Sequence, residues 1–226
     1  MKNRIITIDG PAGSGKTTVS KALAQRLGCI YVDTGALYRG VAFELQRQKI
    51  DYKEDKALEK FLKSLDLTFA IDGDHDNGQF LLLSSGRDIT PYIRTPEISM
   101  LASLSSARPL IRSALLNVQR NIADEQDAVF EGRDMGTVVF PGASFKFFLF
   151  ADITIRAKRR FDEMPEEEKN FTQVQKEMEI RDYNDSNRVA APLKPAEDAI
   201  HINSSDLTIG QVIEKMLEHI KKAKNI

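Results

Sequence analysis

The chain has 226 residues, long enough for a substantial core, with 32 lysines and arginines against 33 aspartates and glutamates and a formal net charge of −1. That balance leaves no global field to draw nucleic acid or an anionic membrane surface, and no apolar run approaches membrane-spanning length. The one cysteine, Cys29, excludes an internal disulfide, and a first strand under way by Arg4 leaves no room for a leader, so a cytoplasmic protein is expected.

The β-branched run 4–9 predicts a short buried strand. Gly10-Pro11-Ala12-Gly13-Ser14-Gly15-Lys16-Thr17 follows and fits the phosphate-loop pattern G-x-x-x-x-G-K-[ST] at every fixed position. Val19, Ala22, Leu23 and Leu27 then recur at helical spacing, with Gly28 placed as a C-cap. Residues 29–33 read as a second strand, and Thr34-Gly35 opens a helix with Tyr38, Val41, Ala42 and Leu45 on one face. Strand, helix, strand, helix predicts a parallel sheet with ligands at the carboxyl ends of its strands.

From about 48 to 109 the alternation breaks. A charged helix (Leu58, Phe61, Leu62, Leu65) precedes three short strands at 67–71, 79–83 and 87–89, joined by turns at 72–78 and 84–86. Thr95-Pro96-Glu97 carries the start signals of a further helix. Asp72-Gly73-Asp74-His75-Asp76 resembles a calcium loop only in part: its sixth position is Asn77 and its twelfth is Leu83, so a hairpin turn is expected instead. The core pattern resumes with a helix at 109–122, a strand at 128–131 followed by Gly132-Arg133-Asp134, and an apolar strand at 145–150. A helix at 156–161, an acidic connection at 164–170 and a polar helix at 173–187 follow. The last strand is expected at 199–203, and the closing helix starts at the capping box Thr208-x-x-Gln211.

The glycine loop points to nucleotide phosphates. Its N–H groups would cradle phosphate oxygens, Lys16 would reach the β- and γ-phosphates, and the Thr17 hydroxyl would hold Mg²⁺. Phosphoryl transfer then asks for cations that screen donor from acceptor, and arginine suits that task. Arg181, Asp185 and Arg188 are spaced to share one helix face, as are Arg156, Arg159 and Arg160. Arg39, Arg94, Arg112 and Arg133 sit at the expected ligand end of the sheet or in the insertion. His75, His201 and His219 show no metal-ligand spacing. There is no nucleophile beside a base, which suits an acceptor already anionic at neutral pH.

Several stretches together resemble the bacterial cytidylate kinase family: 8–16, Asp33-Thr34-Gly35-Ala36-Leu37-Tyr38-Arg39, Ile93-Arg94-Thr95, 131–141, Arg181-Asp182, Asn187-Arg188 and Ala191-Pro192-Leu193. The resemblance runs from the first strand to the last helix. It implies an α/β fold: a P-loop five-stranded parallel sheet flanked by helices, with an inserted monophosphate-binding region containing a small antiparallel sheet, and a short lid. On that basis the chain is one kinase domain, with core segments 1–47, 110–152 and 190–226, an insertion at about 48–109 and a lid at about 153–189. The implied reaction passes the γ-phosphoryl group of ATP to CMP or dCMP with Mg²⁺, in the cytoplasm, as a monomer without nucleic-acid or membrane partners. Donor binding falls to Gly10, Pro11, Ala12, Gly13, Ser14, Gly15, Lys16, Thr17, Thr18, Arg156 and Arg160. Acceptor binding falls to Thr34, Arg39, Ser103, Arg112, Arg133, Asp134, Arg181, Asp185 and Arg188. Lys16, Arg133, Arg159 and Arg188 are implied in catalysis. Leu37 and residues 183–186 depart mildly from the family pattern. Kinases of the same architecture acting on other acceptors are the near alternatives. A guanine-reading N-K-x-D and an L-S-G-G-Q-like signature are absent. A P-loop ATPase or switch without a monophosphate acceptor is the reading from another class.

Overall fold

The run Ile5–Asp9 is buried at every position and forms strand β1. In the computed structural model, which describes residues 3–71, 80–165 and 170–224, the chain goes on through α1 (Lys16–Leu27), β2 (Ile30–Asp33), α2 (Thr34–Gln48) and α3 (Asp55–Ser64). Then come β3 (Leu67–Ile71), β4 (Phe80–Ser84), β5 (Arg87–Asp88), α4 (Pro96–Ser105), α5 (Pro109–Glu125) and β6 (Ala128–Gly132). The remainder is β7 (Phe145–Phe150), α6 (Ile153–Asp162), α7 (Phe171–Asn187), β8 (Ile200–Asn203) and α8 (Ile209–Lys224). The expected strands and helices are present, with ends displaced by a residue to a turn. Two short features were not expected: a 3₁₀ turn at Thr90–Tyr92 and a π-type turn at Met135–Val139. The dismissed calcium loop with His75, the strand start at Gln79 and part of the acidic connection lie outside the described residues. Among the described residues no helix is long and apolar enough to cross a membrane.

The chain divides into two compact units, one made of residues up to Tyr31 and from Gln126 onward, the other of Val32–Glu125. The five-stranded sheet has the order β2-β6-β1-β7-β8. β1 pairs in parallel with β6 and with β7, and Asp9 stands level with Gly132 and Phe148. Because these strands end together, the loops after β1 and β6 emerge side by side. Beneath them, α1 and α8 seal one core: Ile6, Ile8, Leu23, Phe147, Leu149 and Met216 are essentially inaccessible. Emptying such a site, as in Leu23→Ala, costs on the order of 2–5 kcal/mol. A smaller cluster of Ala157, Val174 and Met178 packs α6 on α7 and reaches Ala12 of the glycine loop.

The second unit has its own core of Leu37, Val41, Leu45, Leu58, Leu82, Ile93, Ile111 and Leu115. Its sheet is antiparallel in the order β3-β4-β5. Ser85 and Gly86, both at positive φ (48° and 76°), turn β4 into β5, the geometry that matches hairpin twist. Glu44 of α2 is buried and accepts from Ser84 Oγ at 2.9 Å, from Arg47 and from Gln48, so its charge is fully hydrogen-bonded.

Candidate active site

The glycine loop closes where β1 meets β7. A Cβ on Gly10 would lie 1.9 Å from the Leu149 carbonyl oxygen, so no side chain fits there. At Gly13, with φ 72°, a Cβ would meet Met178 Cε at 2.8 Å and the Arg156 carbonyl at 3.1 Å. The Ser14 hydroxyl donates to the Pro11 carbonyl at 3.0 Å, and Lys16 Nζ donates to the same oxygen at 2.6 Å. Gly15 stands at the N-cap of α1 without a side-chain cap, and the first turn holds no acid. The positive helix end is therefore left to an outside anion. Lys16 is buried, and its pKa is pushed from 10.5 down to about 7, first by burial and next by the field of Arg133. A bound polyphosphate would supply the counter-charge. Thr18 points outward and is exposed.

Two carboxylates close the strand ends beside this loop. Glu131 accepts from the Thr17 hydroxyl at 2.9 Å and from the Tyr31 hydroxyl at 2.7 Å. The Thr17 and Glu131 oxygens are hard donors that suit Mg²⁺, an ion that takes much of its shell from phosphate and water. Among the described residues no group of three or more His, Cys, Asp or Glu gathers into a cage. Asp9 accepts from the N–H groups of Met135 (2.9 Å) and Gly136 (2.7 Å). Burial lifts its carboxyl from 3.8 to about 6, against the pull of those amides. Sequence reasoning assigned no role to Asp9, Glu131 or Tyr31; the signal available was an acid at the carboxyl end of an otherwise apolar strand.

After β6 the arginines and acids of α7 converge. Arg133 Nε donates to Asp185 Oδ2 at 3.0 Å. Arg188 lies 3.7 Å from Asp185 Oδ1 and 3.4 Å from Asp134 Oδ1, with all three side chains nearly inaccessible. Burial opposes charge on Asp185, yet Arg133, Arg181 and Arg188 together hold its carboxyl below the usual carboxylate range. The expectation that Arg188 shares a helix face with Arg181 and Asp185 is corrected: α7 ends at Asn187, and Arg188 is its extended C-cap. Arg188 reaches the cluster because its Nε donates to Ala191 O at 2.7 Å, and Ala191 takes a left-handed φ of 51°.

The three arginines of α6 do not share one environment, another correction to the common face read from spacing. Arg156 is buried and donates to Ala151 O, Ala12 O and Asp182. Arg159 donates to Ser204 O at 2.6 Å and to its Oγ at 3.2 Å, and Ser204 Oγ in turn donates to Ser14 O at 2.9 Å. Arg160 is half-exposed and lies 3.6 Å from Glu163. Asp182 and Ser204 were not identified from sequence.

In the second unit, Asp33 caps α2 through Ala36 N (3.2 Å) and pairs with Arg39 at 2.7 Å and Arg94 at 3.5 Å. Burial works against its charge, but the two guanidinium groups hold its carboxyl low. Thr34 is buried at the first position of α2. Arg112 lies over the Tyr38 ring, 5.1 Å from its centroid. Ser103 is buried in α4, and its hydroxyl has no hydrogen-bond partner among the described residues.

The sequence matches the family described as Cytidylate kinase over residues 6–222. It is 48% identical over 219 residues to the cytidylate kinase of Thermosipho melanesiensis, covering 96% of each chain. It is 43% identical over 220 residues to that of Geobacter sp. (strain M21), covering 96% of this chain and 93% of the relative. Among solved structures, an uncharacterized protein from Eubacterium ventriosum aligns with a TM-score of 0.53 at 14% identity, over 97% of this chain and 99% of the other; that likeness is one of fold alone.

Proposed function

The chain belongs to the cytidylate kinase family, and from that premise we propose that it transfers the γ-phosphoryl group of ATP to CMP and dCMP, giving ADP with CDP or dCDP. The observation that supports this most is the buried Arg133–Asp185–Arg188–Asp134 network beside the glycine loop. Two guanidinium forks suit an anionic monophosphate, and carboxylates among them suit the amino group of cytosine and the sugar hydroxyls. An acceptor oxygen of the monophosphate attacks the γ-phosphorus in line, the bond to the β–γ bridging oxygen breaks, and ADP leaves with the electron pair. No base is required, since the acceptor phosphate is already largely dianionic at neutral pH.

In this reading the loop Gly10–Thr18 binds the donor phosphates, and Lys16 and Arg159 neutralise charge on the transferring group. Arg133 and Arg188 hold the acceptor phosphate, while Asp134, Arg181 and Asp185 hold base and sugar. Thr34, Arg39, Ser103 and Arg112 are also assigned to acceptor binding. Thr17 would hold Mg²⁺ together with the nucleotide, with Glu131 orienting its hydroxyl. Bound there, Mg²⁺ offsets phosphate charge. Residues about 48–109 act as the monophosphate-binding insertion and about 153–189 as a lid, and the enzyme works as a cytoplasmic monomer. Arg156 serves the donor side by bracing the glycine loop at Ala12, whereas Arg160, which the resemblance also gives to the donor, stands at the surface beside Glu163.

The test is ADP release from Mg·ATP with CMP, dCMP, UMP, AMP, GMP and dTMP offered singly. Strong stimulation by CMP and dCMP, weak by UMP and none by purines, is expected. Release indifferent to every monophosphate would leave a P-loop ATPase or switch in place of the kinase.

A further inference from the structure

Asp134 stands at the cap position of the π-type turn Met135–Val139, yet its side chain makes no capping bond there. The first two N–H groups of that turn, of Met135 and Gly136, are instead taken by Asp9, a carboxylate from a different strand, at 2.9 and 2.7 Å. A capping aspartate ordinarily accepts from the second or third N–H of its turn, and the second, that of Gly136, is held by Asp9. With Asp9 there, the Asp134 carboxylate is turned to Arg188. Gly136 makes the approach possible: a Cβ on it would lie 3.0 Å from Thr7 Oγ1, 3.2 Å from Lys146 Cδ and 3.4 Å from Asp9 Oδ2. Asp9 is also the residue directly before Gly10, where the glycine loop begins. One buried carboxylate thus joins the root of the donor loop to the turn that directly follows Arg133 and Asp134.

We infer that Asp9 is a positioning residue for the phosphoryl acceptor: by occupying the Met135 and Gly136 amides it keeps Asp134 aimed at Arg188 and holds the acceptor network in its binding geometry. This rests on the acceptor reading of that network given above. Without Asp9, the freed Gly136 amide draws Asp134 back onto its own turn, Arg188 loses a partner, and acceptor binding weakens. The glycine loop keeps its own closure through Ser14, Pro11 and Ser204, so donor binding is largely spared.

The experiment compares Asp9→Ala and Asp9→Asn with the unaltered enzyme. It measures KM for CMP and for ATP separately, and the rise in thermal midpoint that each nucleotide produces. Hydrogen bonds to a charged group are lost, so Asp9→Ala should raise KM for CMP roughly 10- to 100-fold. KM for ATP should stay within about three-fold, and the midpoint rise with CMP should shrink while that with ATP persists. Asp9→Asn, which retains one acceptor oxygen, should fall between. In a background carrying Asp134→Asn, Asp9→Asn should add little further, because the two residues act in series. Should Asp9→Ala not fold, the isosteric Asp9→Asn pair decides the matter alone. Equal rises in both KM values, or an unchanged KM for CMP, overturn the positioning role. If the unaltered enzyme itself shows no CMP-dependent ADP release, the kinase reading fails and this role falls with it.

Discussion

Arg156 lies on the glycine loop itself: Nη1 donates to the Ala12 carbonyl at 3.1 Å and to Asp182 at 2.6 Å, while Nε donates to Ala151 O at 2.8 Å. With its side chain 8% exposed, this arginine braces the loop against α7 as part of the fold. Removing it strands a carboxylate and two carbonyls. Arg156→Ala should therefore lower the nucleotide-free folding stability by about 3 kcal/mol, read from urea midpoints. Arg156→Lys should recover only part, since an ammonium cannot bridge three acceptors in one plane. A midpoint unchanged in Arg156→Ala, with only KM for ATP raised, would return Arg156 to the role of nucleotide ligand that the family resemblance implies.

Arg159 and Arg160 are adjacent in sequence and should behave differently. Arg159 holds Ser204, which supports Ser14 of the loop, whereas Arg160 makes one surface pair with Glu163. Arg159→Ala should raise KM for ATP about ten-fold or more, on the scale of a lost charge-assisted bond. Arg160→Ala should stay within about 0.5 kcal/mol of the parent in stability, as surface changes do. Steady-state kinetics beside thermal melts separate the two. Matching effects would remove the distinction.

Ser103 presents a buried hydroxyl with no partner among the described residues. Such a group costs stability until something binds it. Ser103→Ala should leave the unliganded protein as stable as before, or up to about 1 kcal/mol more so, while weakening CMP binding several-fold. Loss of stability without any change in CMP affinity would mark Ser103 as a packing residue only.

Asp9 also predicts a pH signature. Burial raises its carboxyl from 3.8 to about 6; Asp134 adds to the rise, and the Met135 and Gly136 amides and Lys16 oppose it. The folded state thus holds this proton more tightly than the unfolded chain. The resulting stabilisation is complete below about pH 4 and is lost as pH rises through 6. Relative to Asp9→Asn, the parent should lose up to about 3 kcal/mol of stability between pH 4 and 7. CMP turnover needs the carboxylate and should move the opposite way, falling as pH drops below 6. Parallel stability curves for the two proteins would rule the signature out.

What sequence made legible is mostly local. Thr208 and Gln211 form their capping box, with Gln211 N on Thr208 Oγ1 at 3.3 Å and Thr208 N on Gln211 Oε1 at 2.9 Å. Thr95 caps α4 through Ile98 N, and Gly28 ends α1 at φ 63°. Each needs only residues within one turn, where spacing specifies geometry. Partners far apart in the chain were not legible. Asp9 meets Gly136 across 127 residues, and nothing in either segment signals the other. The α6 arginines show the same limit. Periodicity puts Arg156 and Arg160 on one face, but a helical turn separates them, so one reaches the glycine loop and the other reaches solvent. In α7 the buried positions are few, Val174, Met178 and Asp185, while Ile180 and Tyr183 are exposed at 45% and 69%, so its apolar periodicity is weak.

The bond between Ser204 and Ser14 spans 190 residues and has a consequence for the order of assembly. On a ribosome the chain emerges from its amino end, so the complete nucleotide-gripping sequence is outside long before the serine that supports it. A nascent chain halted ahead of Ile200 would display every residue of that motif and still lack both β8 and Ser204. The full set of hydrogen bonds that supports the glycine loop therefore waits for β8 and Ser204, however early the loop itself is made.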